Sequence, residues 1–127
     1  MLFSKWIDIP EDRAITNPYT ETIKVSKGTV RKVWVIIPVP SAWCIGVQIW
    51  YASWQMWPTS RTEWIPGGMV KMEFEENLVI DDVPTQFTVR CYNEDTVNHH
   101  KVWVAFSVVR PTVSSQMQEF LSLFEEQ

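Results

Sequence analysis

Short apolar stretches with a two-residue period fill most of the chain, separated by proline, glycine and Asn–Asp turns. This period is typical of β-strands, because successive side chains of a strand point to opposite faces of its sheet. Seven or eight such stretches, with no internal helical pattern, predict an all-β fold: an antiparallel β-sandwich, jelly-roll or Ig-like, with the jelly roll favoured. The predicted strands lie near residues 3–9, 20–26, 29–37, 43–52, 69–75, 86–93 and 101–109, with a weaker one at 54–57 or 78–80. The segment SKGT at residues 26–29 predicts a hairpin turn.

Only the C-terminal segment follows a helical period. Four apolar residues occupy positions i, i+3, i+4 and i+7 there: Met117, Phe120, Leu121 and Phe124. The sequence therefore divides into a β-sandwich domain, residues 1–111, and a short amphipathic C-terminal tail, residues 112–127. A helix of about a dozen residues is marginally stable alone. We expect it to dock on its own sandwich, to dock on a neighbouring chain, or to fray when it has neither support.

Strand parity separates the side chains expected in the core from those expected outside it. The inner set is Trp43, Ile45, Val47, Ile49, Tyr51, Val33, Val35, Ile37, Phe87, Val89, Cys91, Val102, Val104, Phe106 and Val108. The outer set contains many of the large rings of a chain with eight tryptophans: Trp34, Trp50, Trp103 and Tyr92, with Trp54 if its strand continues. Four uncovered rings, each of about 150–250 Å², would exceed the apolar patch that a soluble monomer usually exposes. Something is therefore expected to cover them.

Three kinds of cover are compatible with this outer set. Loops or the tail of the same chain are the first, and a partner subunit is the second, since Trp, Tyr and Arg concentrate binding energy at protein interfaces. The interface residues expected for a partner are Trp34, Trp50, Trp54, Trp103, Tyr92, Met117, Phe120, Leu121 and Phe124. A ligand such as a glycan is the third. In that case Trp50 and Trp54, with Trp103 as a further candidate, would stack on sugar rings, and Gln48 or Arg90 would hydrogen-bond to hydroxyl groups.

Composition and charge narrow the classes of partner. A chain of 127 residues with 46% hydrophobic and 20% charged residues is expected to form one globular domain. Its net charge of −4 provides no general attraction for nucleic acid or an anionic membrane. The N-terminal MLFSKWIDIP lacks the apolar stretch of a signal peptide, and no run is long enough to span a membrane, so synthesis in the cytoplasm is expected. Cys44 and Cys91 are expected to be free thiols, with one disulfide between them as the alternative.

The sequence contains no recognisable catalytic or metal-binding motif. Gly-rich phosphate loops and the patterns G-x-S-x-G, C-x-x-C and H-E-x-x-H are absent. His99 and His100 would point to opposite faces of one strand, so they are not expected to share a metal; a weak adventitious site with Glu94–Asp95 is the alternative. Glu73 and Glu75 would share one strand face, which is a spacing that any sandwich shows. We therefore expect no enzyme activity, no cofactor and no metal.

Several short segments occur in an order that resembles a group of viral proteins. They are VPSAWCIGVQIW, QMWP, an isolated tryptophan and YNEDTVNHHKVWVAFSV, and their order is similar to that in small β-sandwich proteins encoded by tailed phages and archaeal viruses. The resemblance covers roughly residues 20–109, and its matching positions are Gln55, Pro58, Asn93, Asp95 and His99 or His100. It implies a virion component such as a decoration, turret, fibre or neck protein. The pattern of that group does not include a C-terminal helix, which leaves the mode of attachment open.

The sequence thus predicts a non-enzymatic virion structural or accessory protein that assembles with itself or with other virion proteins through its apolar outer faces. The alternative is a carbohydrate-binding β-sandwich module that uses surface tryptophans. The two functions are compatible if a virion protein also binds host glycans.

Overall fold

Two antiparallel β-sheets form the part of the chain that the structure describes. This computed structural model describes residues 1–38, 43–60, 63–66 and 71–110. The strands in these ranges are β1 (Leu2–Ile9), β2 (Tyr19–Lys24), β3 (Gly28–Ile36), β4 (Ile45–Tyr51), β5 (Trp54–Trp57), β6 (Ile65–Pro66), β7 (Lys71–Ile80), β8 (Gln86–Asn93) and β9 (His100–Val109). The predicted all-β, antiparallel fold is confirmed. The predicted tail, residues 112–127, lies outside the described residues, and so do Met117, Phe120, Leu121 and Phe124.

The strand pairings are nested: the first strand pairs with the last, the second with the one before the last, and so on toward the middle of the chain. β1 pairs with β9, β2 with β8, β3 with β7, and β4 with β5. Successive pairs alternate between two sheets, because β9 also pairs with β3 and β8 also pairs with β4. Sheet A therefore has the order β1-β9-β3-β7, and sheet B has the order β2-β8-β4-β5. The two-residue β6 pairs with β4 beside β5, so these two short strands share one edge of sheet B.

The prediction of a hairpin turn at residues 26–29 is wrong. The flanking strands β2 and β3 belong to different sheets, so this segment carries the chain from sheet B to sheet A. The backbone N–H of Val25 still donates to the carbonyl oxygen of Thr85 at 2.9 Å, just beyond the β2–β8 ladder. Gly28 then takes a φ of 151°, and a Cβ there would lie 2.7 Å from the carbonyl oxygen of Val109. Glycine is required at this crossing because a side chain would collide with the end of β9.

The inward-facing residues of both sheets form one hydrophobic core. Strand parity predicted much of it, and the members of the inner set that are buried are Ile45, Val47, Ile49, Val33, Val35, Ile37, Phe87, Val89, Cys91, Val102, Val104, Phe106 and Val108. One member of that set was predicted wrongly: Trp43 is 85% exposed, because β4 begins only at Ile45. Tyr51 at the far end of β4 is half-buried but packs against the core, with its ring centroid 5.5 Å from that of Phe87.

A cluster of three aromatic rings joins the two sheets at the centre of the core. Phe87 of sheet B stacks on Phe106 of sheet A with ring centroids 4.3 Å apart. The fully buried Trp57 packs against both rings, with its centroid 5.6 Å and 6.1 Å from theirs. Its indole Nε1 donates to Glu76 Oε1 at 2.9 Å, so the buried N–H has a partner. Trp57 is thus a major core residue that parity missed, because the sequence predicted only a weak strand around it.

A buried asparagine fixes the loop between β8 and β9. Asn93 is 1% exposed. Its Nδ2 donates to the carbonyl oxygens of Pro10 and Asn98, both at 3.1 Å, and its Oδ1 accepts from the backbone N–H of Asp95 at 2.9 Å. Backbone hydrogen bonds in both directions also join Asn93 to Arg13. This residue therefore holds the segment after β1 and the β8–β9 loop to each other.

An ion pair that a third side chain stabilises by a hydrogen bond joins the edge strands β1 and β2. Lys5 Nζ donates to Glu21 Oε2 at 2.6 Å, and the Tyr19 hydroxyl donates to Glu21 Oε1 at 2.6 Å. The hydrogen bond from Lys5, with that from Tyr19, lowers the pKa of Glu21 below its ordinary value. The same contact with Glu21 raises the pKa of Tyr19. Sheet A and sheet B are thereby linked electrostatically along this side.

Candidate binding cleft

The predicted interface rings lie on two different surfaces of the sandwich. Trp34 and Trp103 are on the outer face of sheet A. Trp50 and Tyr92 are on the outer face of sheet B, and Trp54 joins Trp50 in a cleft there from the β4–β5 hairpin. The structure therefore brings these rings together as two separate groups rather than as one contact surface.

The outer face of sheet A carries a group of three tryptophans, the sheet A patch, formed by Trp6, Trp34 and Trp103. Trp6, which the sequence analysis did not single out, lies opposite Trp103 on the neighbouring strand and is 56% exposed. Trp34 lies opposite Ala105, and both Trp34 and Trp103 are half-buried. Ala105 faces outward, yet it is fully buried, because Trp103 lies two residues away along β9 and Trp34 lies opposite it on β3. The patch thus places three tryptophans on the outer face of three neighbouring strands, β1, β9 and β3.

The predicted carboxylate pair borders this patch. Glu73 lies opposite Trp34 on β7, and its Oε1 is 3.2 Å from Lys32 Nζ. Glu75 lies opposite Lys32 in the β3–β7 register, on the same exposed strand face as Glu73. In this arrangement the carboxylates form a charged rim beside the aromatic rings.

A cleft of about 650 Å³ opens on the outer face of sheet B. Its walls carry three indole rings together with a guanidinium group and two amides: Trp50, Trp54, Trp64, Arg90, Gln48 and Gln55. Ile15, Ser53 and Thr59 complete the lining. Four of the residues predicted for a glycan site, Trp50, Trp54, Gln48 and Arg90, are among these side chains. The further candidate, Trp103, lies on the outer face of sheet A and was predicted wrongly as part of the same site. Trp64 was missed because it lies in a loop, where no period marks its direction.

Gln48 and Arg90 hold the ring of Trp50 from two sides. Trp50 Nε1 donates to Gln48 Oε1 at 3.0 Å, while Gln48 Nε2 donates to the carbonyl oxygen of Glu63 at 2.8 Å. Gln48 is only 3% exposed, so it orients the indole and the loop rather than presenting its amide to solvent. The Arg90 guanidinium carbon lies 5.1 Å from the centroid of the Trp50 ring, a cation–π distance. Arg90 thus combines a stacked position with planar N–H donors at the cleft wall.

The β4–β5 hairpin presents Trp54 at the rim of the cleft. Ala52 and Ser53 form its turn, and Ala52 has a φ of 52°, in the left-handed region. Trp54 follows at once and is 62% exposed. Gln55 Nε2 lies within hydrogen-bond distance of three loop carbonyl oxygens, with the shortest contact, to Pro58, at 2.7 Å. One side chain therefore ties the loop after β5 to the hairpin that carries the exposed ring.

Tyr92 packs against Trp64 and so supports the wall of the cleft that Trp64 forms. The two rings meet edge to face with centroids 5.0 Å apart. Tyr92 lies over its cross-strand neighbour Gly46, which is buried although it faces outward. A Cβ at Gly46 would lie 2.0 Å from the Tyr92 ring, so only glycine leaves room for this ring. Burial, reinforced by the charge of Glu94, raises the pKa of the Tyr92 hydroxyl above its ordinary value.

The two adjacent histidines contact different partners. His99 Nδ1 is 3.6 Å from Asp8 and its Nε2 is 2.5 Å from Glu11, both near the end of β1. His100 Nε2 is 2.9 Å from Asp95 Oδ2 in the β8–β9 loop. The two imidazoles therefore point to different parts of the molecule, in the way that strand alternation predicts.

The groups that line the cleft are suited to holding a ring-shaped polar ligand. Indole faces provide apolar stacking surfaces, while the guanidinium group of Arg90 and the hydroxyl groups of Ser53 and Thr59 can hydrogen-bond to a ligand. The described residues contain no helix that is long and apolar enough to cross a membrane. The chain matches no protein-family model, no curated protein and no solved structure.

Proposed function

We propose that the protein binds carbohydrate in the cleft on the outer face of sheet B. The observation that carries this proposal is the convergence of Trp50, Trp54 and Trp64 with Arg90 around one cleft of about 650 Å³. This volume lies within the range of about 300–1,000 Å³ that is typical of small-ligand sites. The aromatic faces would cover the C–H faces of sugar rings, and Arg90 would hydrogen-bond to hydroxyl groups.

A sugar fits this cleft better than a nucleic acid does. Proteins that stack nucleobases place their aromatic rings in a positively charged groove that follows the backbone. Here Arg90 is the single basic residue among the described side chains that line the cleft, and the chain carries a net charge of −4. A neutral ligand with apolar ring faces and hydroxyl groups matches this lining.

The fixed position of Trp50 also favours a binding function. Its ring is held by the hydrogen bond to Gln48 and by the contact with Arg90. A side chain that is ordered before binding loses little rotational freedom when a ligand arrives, which preserves affinity. Trp54, by contrast, is exposed at the rim and would lose solvent contact only in the complex.

The test is an oligosaccharide panel followed by calorimetric titration of any sugar that binds. Trp54→Ala and Trp64→Ala are the cleft variants, and Trp6→Ala, which removes a similarly exposed ring from the other sheet, is the matched control. Stacking of a nucleobase on an aromatic ring is worth about 1–3 kcal/mol. With the same range for a sugar ring, each cleft variant should weaken binding by about 5- to 150-fold. The control should bind as the parent does. If no sugar binds, or if all three variants lose affinity equally, the cleft is not a carbohydrate site.

We also propose a second function, that of a virion structural component with jelly-roll topology. The supporting observation is the nested pairing β1–β9, β2–β8, β3–β7 and β4–β5, alternating between two sheets, as expected for a long antiparallel hairpin rolled into a sandwich. The sheet A patch would be the contact with another copy of the chain or with another virion protein. Such a protein would display the cleft of sheet B on the opposite side.

Light scattering on the full chain and on a truncation that ends at Pro111 tests the assembly part of this proposal. A defined oligomer that becomes monomeric on truncation would assign the contact to residues 112–127. An oligomer that survives truncation but dissociates with Trp103→Glu would assign it to the sheet A patch. A monomer in every case contradicts self-assembly.

A further inference from the structure

Three potential metal ligands from separate parts of the chain meet at one end of the sandwich. Cys44 immediately precedes β4, Asp95 lies in the β8–β9 loop, and His100 is the first residue of β9. The thiol sulfur, a carboxylate oxygen and an imidazole nitrogen all lie within 4.8 Å of one another. The side chains of His100 and Asp95 are only 10% and 20% exposed, and Cys44 is half-buried. The group lies outside the cleft of sheet B.

The loop holds the carboxylate of this group in a fixed orientation. Asp95 Oδ1 accepts from the backbone N–H of Val97 at 2.9 Å and of Asn98 at 3.1 Å. Its Oδ2 faces His100 Nε2 at 2.9 Å. Both oxygens of Asp95 are therefore held in place by contacts within the loop and with His100.

The backbone places the thiol beside this carboxylate. The N–H of Glu94 donates to the carbonyl oxygen of Cys44 at 2.9 Å, and the next residue, Ile45, pairs with Asn93 in the β4–β8 ladder. Asn93 in turn accepts from the N–H of Asp95. The segments that carry Cys44 and Asp95 are therefore connected by hydrogen bonds that do not depend on an ion.

We propose that Cys44, Asp95 and His100 form a site for a divalent transition metal, with Zn²⁺ as the expected ion. Thiolate and imidazole ligands favour Zn²⁺ over Ca²⁺ and Mg²⁺, which prefer oxygen ligands. Tetrahedral Zn²⁺, with ligand bonds of about 2.0–2.3 Å, separates its ligand atoms by roughly 3.3–3.6 Å. Here the three ligand atoms lie within 4.8 Å of one another, so coordination would change their separations by at most about 1.5 Å, and rotation of the Cys44 side chain is one means of adjustment.

Coordination exchanges the protons of the site for the ion. The thiol proton of Cys44 leaves to solvent as the sulfur–metal bond forms. The hydrogen between His100 Nε2 and Asp95 Oδ2 leaves as well, to solvent or to Nδ1 of the same ring, so that the Nε2 lone pair binds the ion. Three protein ligands leave a fourth position to water. The bound ion would cross-link the start of β4 to the β8–β9 loop.

The experiment is a titration of the metal-free full chain with Co²⁺, followed by displacement with Zn²⁺. A tetrahedral site with a thiolate ligand gives visible d–d bands and a sulfur-to-cobalt charge-transfer band, and Zn²⁺ should remove both. Cys44→Ser should abolish the charge-transfer band and weaken Zn²⁺ binding by at least about 100-fold, beyond the 10- to 100-fold that changes outside the ligand shell cause. His99→Ala is the matched control, because it removes the neighbouring imidazole and should leave binding unchanged.

Thiol labelling provides a second readout that does not rely on a spectrum. Cys44 and Cys91 are both free, but Cys91 is fully buried, so Cys44 should react alone in the folded protein. Zn²⁺ should slow this reaction, and it should do so equally in the His99→Ala variant. Three results would overturn the proposed site: Zn²⁺ binding that is unchanged in Cys44→Ser, Zn²⁺ binding that is lost in His99→Ala, or a labelling rate that Zn²⁺ does not change. Far-UV circular dichroism of Cys44→Ser checks that the variant is folded.

Discussion

The contact between Gly46 and Tyr92 leads to a sharp prediction about stability. A Cβ at Gly46 would lie 2.0 Å from Cε2 and 2.3 Å from Cζ of the Tyr92 ring, and 2.7 Å from its hydroxyl oxygen. Non-bonded carbon atoms approach to about 3.5–4.0 Å. In the Gly46→Ala variant the ring must therefore leave its position over β4 rather than adjust within it.

The cost of this movement follows from what the ring contacts. Leaving the strand removes the edge-to-face contact with Trp64, which is worth about 0.5–1.5 kcal/mol. Insertion of extra carbon into packed sites typically costs about 1–3 kcal/mol in total. We expect Gly46→Ala to lower the free energy of unfolding by about 2 kcal/mol. In a Tyr92→Ala background the same substitution should cost almost nothing, since alanine is better suited than glycine to a strand by about 0.5–1 kcal/mol.

Urea unfolding of the parent, the two single variants and the double variant measures this coupling. The midpoints should shift with the m-value unchanged, and the coupling free energy should be at least about 1 kcal/mol. Tyr92→Phe is the control, because it keeps the ring and should leave the cost of Gly46→Ala nearly intact. Equal costs of Gly46→Ala with and without the ring would refute the argument.

Three further changes test other parts of the fold by urea unfolding. Asn93→Leu should lower the free energy of unfolding by about 3 kcal/mol, because it removes the partners of several backbone groups. A loss below about 1 kcal/mol would show that these buried hydrogen bonds do not stabilise the fold as argued. Ala52→Gly should raise it by about 0.5 kcal/mol, since relief of the left-handed φ outweighs the added chain entropy. A decrease would show that Ala52 is not strained. Glu21 has a lowered pKa because of Lys5, so its contribution is present above its unfolded pKa and is lost as pH falls through the folded one. Glu21→Gln should flatten the fall in stability below about pH 5, whereas the exposed control Glu75→Gln should not.

Strand periodicity predicts features that depend on one strand alone. Val33 and Val35 alternate with Trp34 and Ile36 because one face of β3 meets an apolar interior and the other does not. The same reasoning correctly separated inward from outward residues along β8 and β9. It needs no knowledge of which strands are neighbours.

Features that depend on distant partners lie beyond that reasoning. Residues 26–29 have turn chemistry, but a chain can turn into a hairpin or cross to another sheet, and only the pairing of β2 with β8 decides between the two. Gln48 is polar and outward by parity, yet Trp50 and the loop at Glu63 bury it. Trp64 lines the cleft because Tyr92 supports it from another strand. The residues that line the cleft converge in space through contacts that no local pattern records.

The pairing of β1 with β9 has a consequence for the order in which the protein folds. Leu2 lies opposite Ser107, and Ile9 lies opposite His100, so the first of the described strands to be synthesised pairs with the last of them. Sandwiches that depend on such distant pairings fold in about milliseconds to seconds. Folding of the sandwich is therefore completed only after β9 has been synthesised. A nascent chain that stalls before β9 would leave β1 and β3 with open edges, and these could recruit strands from other chains.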